Sequence, residues 1–199
     1  MRLDDFAVPE SADAFSVELL DAVGGLAQPN NLALVAAAAR CLDPGETYVE
    51  VGSFKGASLI AASRAWDGDV VSIDDFSMGE GSRELLEENL RRFGGHAEII
   101  AGDAFELIRG GALAGRKVGV YYYDAAHDYE AQLEALRIIE PYLASPALVM
   151  VDDSDWERVD RAIADYLKAQ PRARELVRVD GKDRGHPEWW EGVSVLAWT

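Results

Sequence analysis

Apolar positions along this chain change period several times, and the changes divide it into elements. Phe15, Leu19 and Val23, then Leu32, Val35 and Ala39, recur at helical spacing and predict two short helices, the second opened by Pro29-Asn30-Asn31. After the turn signal Asp43-Pro44-Gly45, short apolar runs begin to alternate with helical ones. Strands are expected at Thr47 to Val51, Val70 to Ile73, Ala97 to Ala101, Lys117 to Tyr123 and Ala147 to Val151. Helices are expected from Ser58 to Trp66, after a Ser82 cap through Leu85, Leu86, Leu90 and Phe93, and from Ala104 to Arg109. Two more carry Tyr129, Leu133, Leu136 and Ile139, with Pro141 and Pro146 bracketing the exit, and Trp156, Val159, Ile163 and Leu167. Then the rhythm breaks: Glu175 to Val179 and Val193 to Trp198 read as strands with no helix between them, only the polar, aromatic loop Asp180 to Gly192. Five β-then-α units followed by a hairpin predict an α/β fold. Its doubly wound, mostly parallel seven-stranded sheet would end in an antiparallel C-terminal hairpin at the edge.

No repeat or low-complexity linker interrupts the 199 residues, so residues 1–199 are expected to form one domain. Within it, 1–44 would supply helices covering a site built by 45–199. Lys plus Arg number 19 against 36 Asp plus Glu, a formal charge of -17 spread along the chain. Such a surface argues against nucleic acid or an anionic membrane as partner, since both depend on basic residues. The single cysteine, Cys41, excludes an internal disulfide, and a buried inert thiol is expected. No apolar run approaches the roughly 20 residues that span a bilayer, and no signal segment is visible, so a cytoplasmic location is the default.

Candidate chemistry sits where strands stop. Glu50-Val51-Gly52-Ser53-Phe54-Lys55-Gly56 ends the first strand and opens a helix, a place where glycine lets backbone amides approach a ligand. Lys55 precedes Gly56 and Ala57 follows, so the segment is neither a phosphate loop nor a full GxGxxG. Asp74 ends the second strand 22 residues beyond Gly52, placed to accept from ribose hydroxyls, although Asp75 beside it leaves the choice open. Asp103, after the third strand, would accept from an adenine amino group or cap the short helix that follows.

The fourth strand ends in Asp124 with His127 three residues on, and the fifth in Asp152-Asp153. In an open parallel sheet these ends face one crevice, and three carboxylates held that close need a cation or must protonate. Tyr122, Tyr129, Trp156, Trp189 and Trp190 are candidates for an acceptor pocket, while alternation puts some of Tyr121, Tyr122 and Tyr123 into the core. His186 lies in the last loop, and Asp128 reads as a helix-start residue.

From about residue 45 to 199 the order of elements resembles class I methyltransferases that use S-adenosylmethionine. The resemblance implies that Glu50, Gly52, Ser53, Phe54, Gly56 and Asp124 line the cofactor, with Glu50 near its ammonium group, Asp74 on ribose and Asp103 on adenine. Phe54 stands where that family commonly has a middle glycine. Asp124-Ala125-Ala126-His127-Asp128-Tyr129 resembles the Asp-x-x-His-x-Tyr segment of small-molecule O-methyltransferases related to macrolide-sugar and cephalosporin-hydroxylase-like enzymes. The 28-residue interval from Asp124 to Asp152 resembles their metal-ligand spacing and that of catechol-type enzymes. By that resemblance Asp124, Asp152 and Asp153 would hold Mg2+ or a similar divalent cation, and His127 would be the general base. The acceptor expected is a hydroxylated small molecule, a sugar or polyphenol-like metabolite, and the oligomeric state is open. Three alternatives share some of these features: a metal-independent methyltransferase, a nicotinamide-binding Rossmann oxidoreductase and a non-catalytic binding module.

Overall fold

The computed structural model describes residues 1–181 and 188–199, so His186 lies outside the described residues. In chain order the elements are α1 (Ala14–Val23), α2 (Pro29–Arg40), β1 (Thr47–Val51), α3 (Ala57–Ala65), β2 (Asp69–Asp74), α4 (Arg83–Phe93) and β3 (Glu98–Ala101). There follow α5 (Ala104–Arg109), β4 (Val118–Tyr123), α6 (Tyr129–Ile138), β5 (Leu143–Asp152), α7 (Glu157–Ala169), β6 (Ala173–Val179) and β7 (Val193–Trp198). They build one seven-stranded sheet in the order β3-β2-β1-β4-β5-β7-β6. β1 to β5 are mutually parallel, and β7 runs antiparallel to both β5 and β6.

The doubly wound sheet is therefore as expected, with one refinement. The antiparallel strand is not the outer edge: β7 inserts between β5 and β6, and β6 takes the edge. Burial matches this order, since every residue of β7 is buried whereas β6 is half-exposed or exposed throughout. β5 also begins four residues before the expected Ala147 and runs through Pro146. The pairing of β4 shifts register between Val118↔Leu143 and Val120↔Leu148, and such an irregularity tolerates a residue without an amide donor.

Alternation along the strands builds two cores. Tyr48, Val120, Tyr122, Leu148 and Met150 face a layer made by α1 to α4. Val49, Val51, Tyr121, Tyr123, Val149 and Val151 face α5, α6 and α7. Nine of the twelve residues of α2 are buried, so this helix is an integral part of the first layer. Cys41 is buried. Among the described residues no helix is long and apolar enough to cross a membrane.

Candidate active site

The carboxyl ends of β1, β2, β4 and β5 open into one cleft of about 580 Å³. Gly52 to Ser58, Asp74, Asp75, Asp103, Tyr122 to His127, Asp152 and Asp153 line it from the sheet. Gly24 to Ala27, Asn31, Leu32, Val35 and Trp190 line it from the chain's two ends. A crevice outside the strand ends where the strand order reverses, here between β1 and β4, is where open α/β sheets bind ligands.

The β1 turn is held by its own chemistry. Gly52 has φ +88°, and a Cβ there would lie 1.8 Å from the backbone oxygen of Asp124. This glycine thus lets β1 pass close to the end of β4 while also lining the cleft. Phe54 occupies the left-handed region at φ +49°, the conformation that glycine adopts freely. The backbone thus keeps the glycine-like shape at the position where the resemblance led one to expect glycine. Its amide donates to Asp74 Oδ2 at 2.9 Å, and Phe76 N donates to Asp74 Oδ1 at 2.7 Å. Asp74 therefore fixes the turn as well as lining the cleft. Exposed Asp75 accepts from Ser77 N in a local turn. Asp103 caps α5 through Glu106 N at 2.8 Å and also lines the cleft. Ser53 hydrogen bonds to Ser72 at 2.7 Å between hydroxyls.

Glu50 is the exception among the sequence-predicted cofactor residues. It is fully buried beneath the turn, does not line the cleft, and accepts from Tyr48 Oη and Ser58 Oγ, each at 2.7 Å. Burial, opposed by these hydrogen bonds, pushes its carboxyl up to about 7. The unfolded chain titrates near 4.5, so the folded state retains the proton between those values and stability falls as pH rises through that window. The effect is about 3 kcal/mol. Glu50→Gln is expected to flatten this part of the curve and to raise the unfolding temperature more at pH 8 than at pH 5. An equal change at both values would contradict the assignment.

At the ends of β4 and β5, Asp124, His127 and Asp153 each present one donor atom within 4.8 Å of the others. Asp152 lies alongside, 3 % exposed, with an unpartnered Oδ1. Burial first, then the Asp153 and Glu50 charges, hold the Asp124 carboxyl well above the usual range. Burial and the Asp124 and Asp153 charges do the same to Asp152. His127 Nε2 lies 3.0 Å from Asp153 Oδ2, and its ring centroid lies 5.3 Å from that of Trp156. Burial, helped by the Arg158 charge, lowers the His127 pKa. A neutral ring donating from Nε2 to Asp153 leaves its lone pair on Nδ1, which is buried and has no hydrogen-bond partner among the described residues. Asp128 caps α6 through Ala131 N and stays outside the group.

Of the aromatic candidates, Tyr122 and Trp190 line the cleft, as does Tyr123. Trp156 instead backs His127 and donates to Glu191, Tyr129 donates to Asp165, and Trp189 packs on the core. Asn31 was not legible as a site residue, because its role depends on Trp190, 159 residues away.

Solved structures of similar shape share the full extent of this fold. They include the O-methyltransferase TomG from Streptomyces achromogenes, involved in tomaymycin synthesis, in complex with S-adenosylmethionine (17 % identity, 95 % of this chain and 91 % of that one, TM-score 0.70). The Podospora anserina methyltransferase PaMTH1 with bound S-adenosylhomocysteine matches at 14 % identity over 96 % and 91 %, TM-score 0.70. A Bacillus cereus O-methyltransferase with S-adenosylhomocysteine matches at 14 % over 99 % and 95 %, TM-score 0.66. No curated protein sequence matches. A family model described as a methyltransferase domain matches residues 49–154, more than half of the chain. That stretch runs from β1 to the loop after β5 and carries the glycine turn, Asp74, Asp103 and the whole acid and histidine group, and the chain belongs to the methyltransferase domain family.

Proposed function

We propose that this protein is an S-adenosylmethionine-dependent O-methyltransferase of a hydroxylated small molecule, assisted by a divalent cation. The observation that carries the reading is the single cleft. The glycine turn, Asp74 and Asp103 line one end, and the acids and histidine line the other. In this arrangement Gly52 to Gly56 border the cofactor, Asp74 accepts from its ribose and Asp103 from its adenine. The structures solved with S-adenosylmethionine or S-adenosylhomocysteine support that cofactor through their shared fold.

In the reaction the acceptor oxygen attacks the methyl carbon in line with the carbon–sulfur bond. That bond breaks, its electron pair passes to sulfur, and the hydroxyl proton must leave. His127 takes it as general base, and Asp153, 3.0 Å from Nε2, stabilises the imidazolium that forms. The donor set fits a hard divalent ion, since carboxylate oxygens are its preferred ligands and the raised Asp124 and Asp152 carboxyls mark negative charge that a cation would relieve. Asp124, Asp152 and Asp153 would hold it, and the bound ion would supply a lowered pKa for the acceptor hydroxyl. Alignment of oxygen, carbon and sulfur by the cleft walls supplies much of the remaining acceleration.

Transfer of a labelled methyl group from S-adenosylmethionine to a panel of polyphenols and sugars, with Mg2+ or with chelator, tests the reading. His127→Gln is expected to lower kcat by about a hundredfold to ten-thousandfold. Activity that survives chelator favours the metal-independent form of the reading. A variant at His127 with wild-type kcat removes the base.

A further inference from the structure

We propose that Asn31 is a positioning residue that holds Trp190 as the acceptor-side wall of the cleft. This rests on the methyltransferase reading for which end of the cleft receives the acceptor. Asn31 stands in the first turn of α2 and is 3 % exposed. Its carboxamide reads the backbone of Trp190 from both sides: Oδ1 accepts from Trp190 N at 3.0 Å and Nδ2 donates to Trp190 O at 3.3 Å. Oδ1 also accepts from Gln28 N at 3.3 Å, so both of its lone pairs are occupied. A helix-start asparagine that needed only to cap would not require a partner 159 residues away.

On its other side the same segment is tied to the loop after β5. Asp155 N donates to Glu191 O at 3.2 Å, and Trp156 Nε1 donates to Glu191 Oε2 at 2.9 Å. Trp190 is thereby suspended between α2 and the loop that backs His127, with Trp189 packed on the core. The sheet order fixes which end this is. Asp103 and Asp74 follow β3 and β2, whereas Trp190 leads into β7, the neighbour of β5 on the opposite side. Trp190 therefore joins the cleft lining from the β5 side of the sheet, opposite the strands that carry Asp74 and Asp103. With Leu32 and Val35 it forms an apolar wall, and Asn31, its polar atoms largely spent on Trp190, adds little polarity there. Such a wall receives a flat apolar face of an acceptor whose oxygens point to Asp124 and Asp153.

The test uses full-length protein labelled with 5-fluorotryptophan, its Trp190 fluorine resonance assigned through Trp190→Phe. Asn31→Ala is expected to shift and narrow that line without ligand. In wild type carrying S-adenosylhomocysteine and Mg2+, catechol is expected to shift it saturably. Asn31→Ala should weaken catechol by about tenfold, as for loss of a buried two-bond contact, and leave S-adenosylhomocysteine affinity within about threefold. Should Asn31→Ala not fold, Asn31→Asp removes the donor to Trp190 O and keeps the acceptor oxygens. An unmoved Trp190 line in the Asn31 variant, or unchanged catechol affinity, overturns the proposal. So does a wild type that binds S-adenosylhomocysteine while catechol leaves Trp190 unmoved. Failure of S-adenosylhomocysteine to bind overturns the methyltransferase reading instead, and the ligand-free comparison still decides whether Asn31 positions the ring.

Discussion

Asp124→Asn is expected to lower kcat/KM for methyl transfer by about a thousandfold, close to 4 kcal/mol of transition-state stabilisation. Asp124 directly follows β4, lines the cleft, and shares the three-atom donor group with His127 and Asp153. Its backbone oxygen lies against Gly52, and its carboxyl feels Asp153 and Glu50, so it faces both the glycine turn and the β5 carboxylates. Removing its charge takes away a proposed cation ligand and one member of a mutually repelling set. The same substitution should therefore leave the ligand-free protein as stable or more stable, so lost activity cannot be lost folding. Asp128→Asn, four residues on, caps α6 and stands outside the donor group; it is the control and, losing only a minor charge contribution at His127, should keep activity within about threefold of wild type. Steady-state rates against Mg2+ concentration measure this. Activity of Asp124→Asn within tenfold of wild type would remove the acid group from the mechanism.

Gly52→Ala is expected to cost about 3 kcal/mol or more and to lower the unfolding temperature by about 10 °C for a chain of this size. Two penalties coincide. The residue sits at φ +88°, where a side chain is strained, and its Cβ would lie 1.8 Å from a backbone oxygen that cannot swing aside. Relief requires β1 and the end of β4 to separate, which also moves Asp124. Gly115, at φ +81° with nothing near its would-be Cβ, separates the terms: Gly115→Ala carries the conformational penalty alone and should cost about 1 kcal/mol. Equal thermal shifts for the two variants would show that the close approach at Gly52 does not matter.

Much of this was legible because periodicity and strand-end chemistry are local. The alternation of apolar runs with helical stretches marks the parallel sheet; Asp74, Asp103, Asp124, Asp152 and Asp153 stand at or just past strand ends, and His127 follows three residues after Asp124. The features that escaped depend on contacts between distant segments. Pro146 reads as a break, yet it lies within β5 because the pairing with β4 slips there. The position of β7 inside the sheet follows from burial that a hairpin pattern does not reveal. Glu50 looks like a cleft residue by motif, but Tyr48 and Ser58 close over it from β1 and α3. Trp156 has the composition of a pocket residue and instead supports His127 from behind. Asn31 carries no sequence signal at all, since its partner is the backbone of Trp190.

Phe54 shows the two levels agreeing through different chemistry. The residue departs from the glycine that the resemblance would place there, while its left-handed φ preserves the turn and its amide reaches Asp74. A non-glycine residue in that conformation costs of order 1 kcal/mol, and the surrounding hydrogen bonds help to hold it.

The central claim is that the cleft binds S-adenosylmethionine with its nucleoside over Asp74 and Asp103 and its methyl group facing Asp124 and His127. Titration calorimetry with S-adenosylhomocysteine tests it most directly, on wild type and on Asp74→Ala. The account predicts saturable one-site binding by wild type, weakened at least about tenfold in Asp74→Ala. Absence of saturable binding by the folded wild-type protein would contradict it.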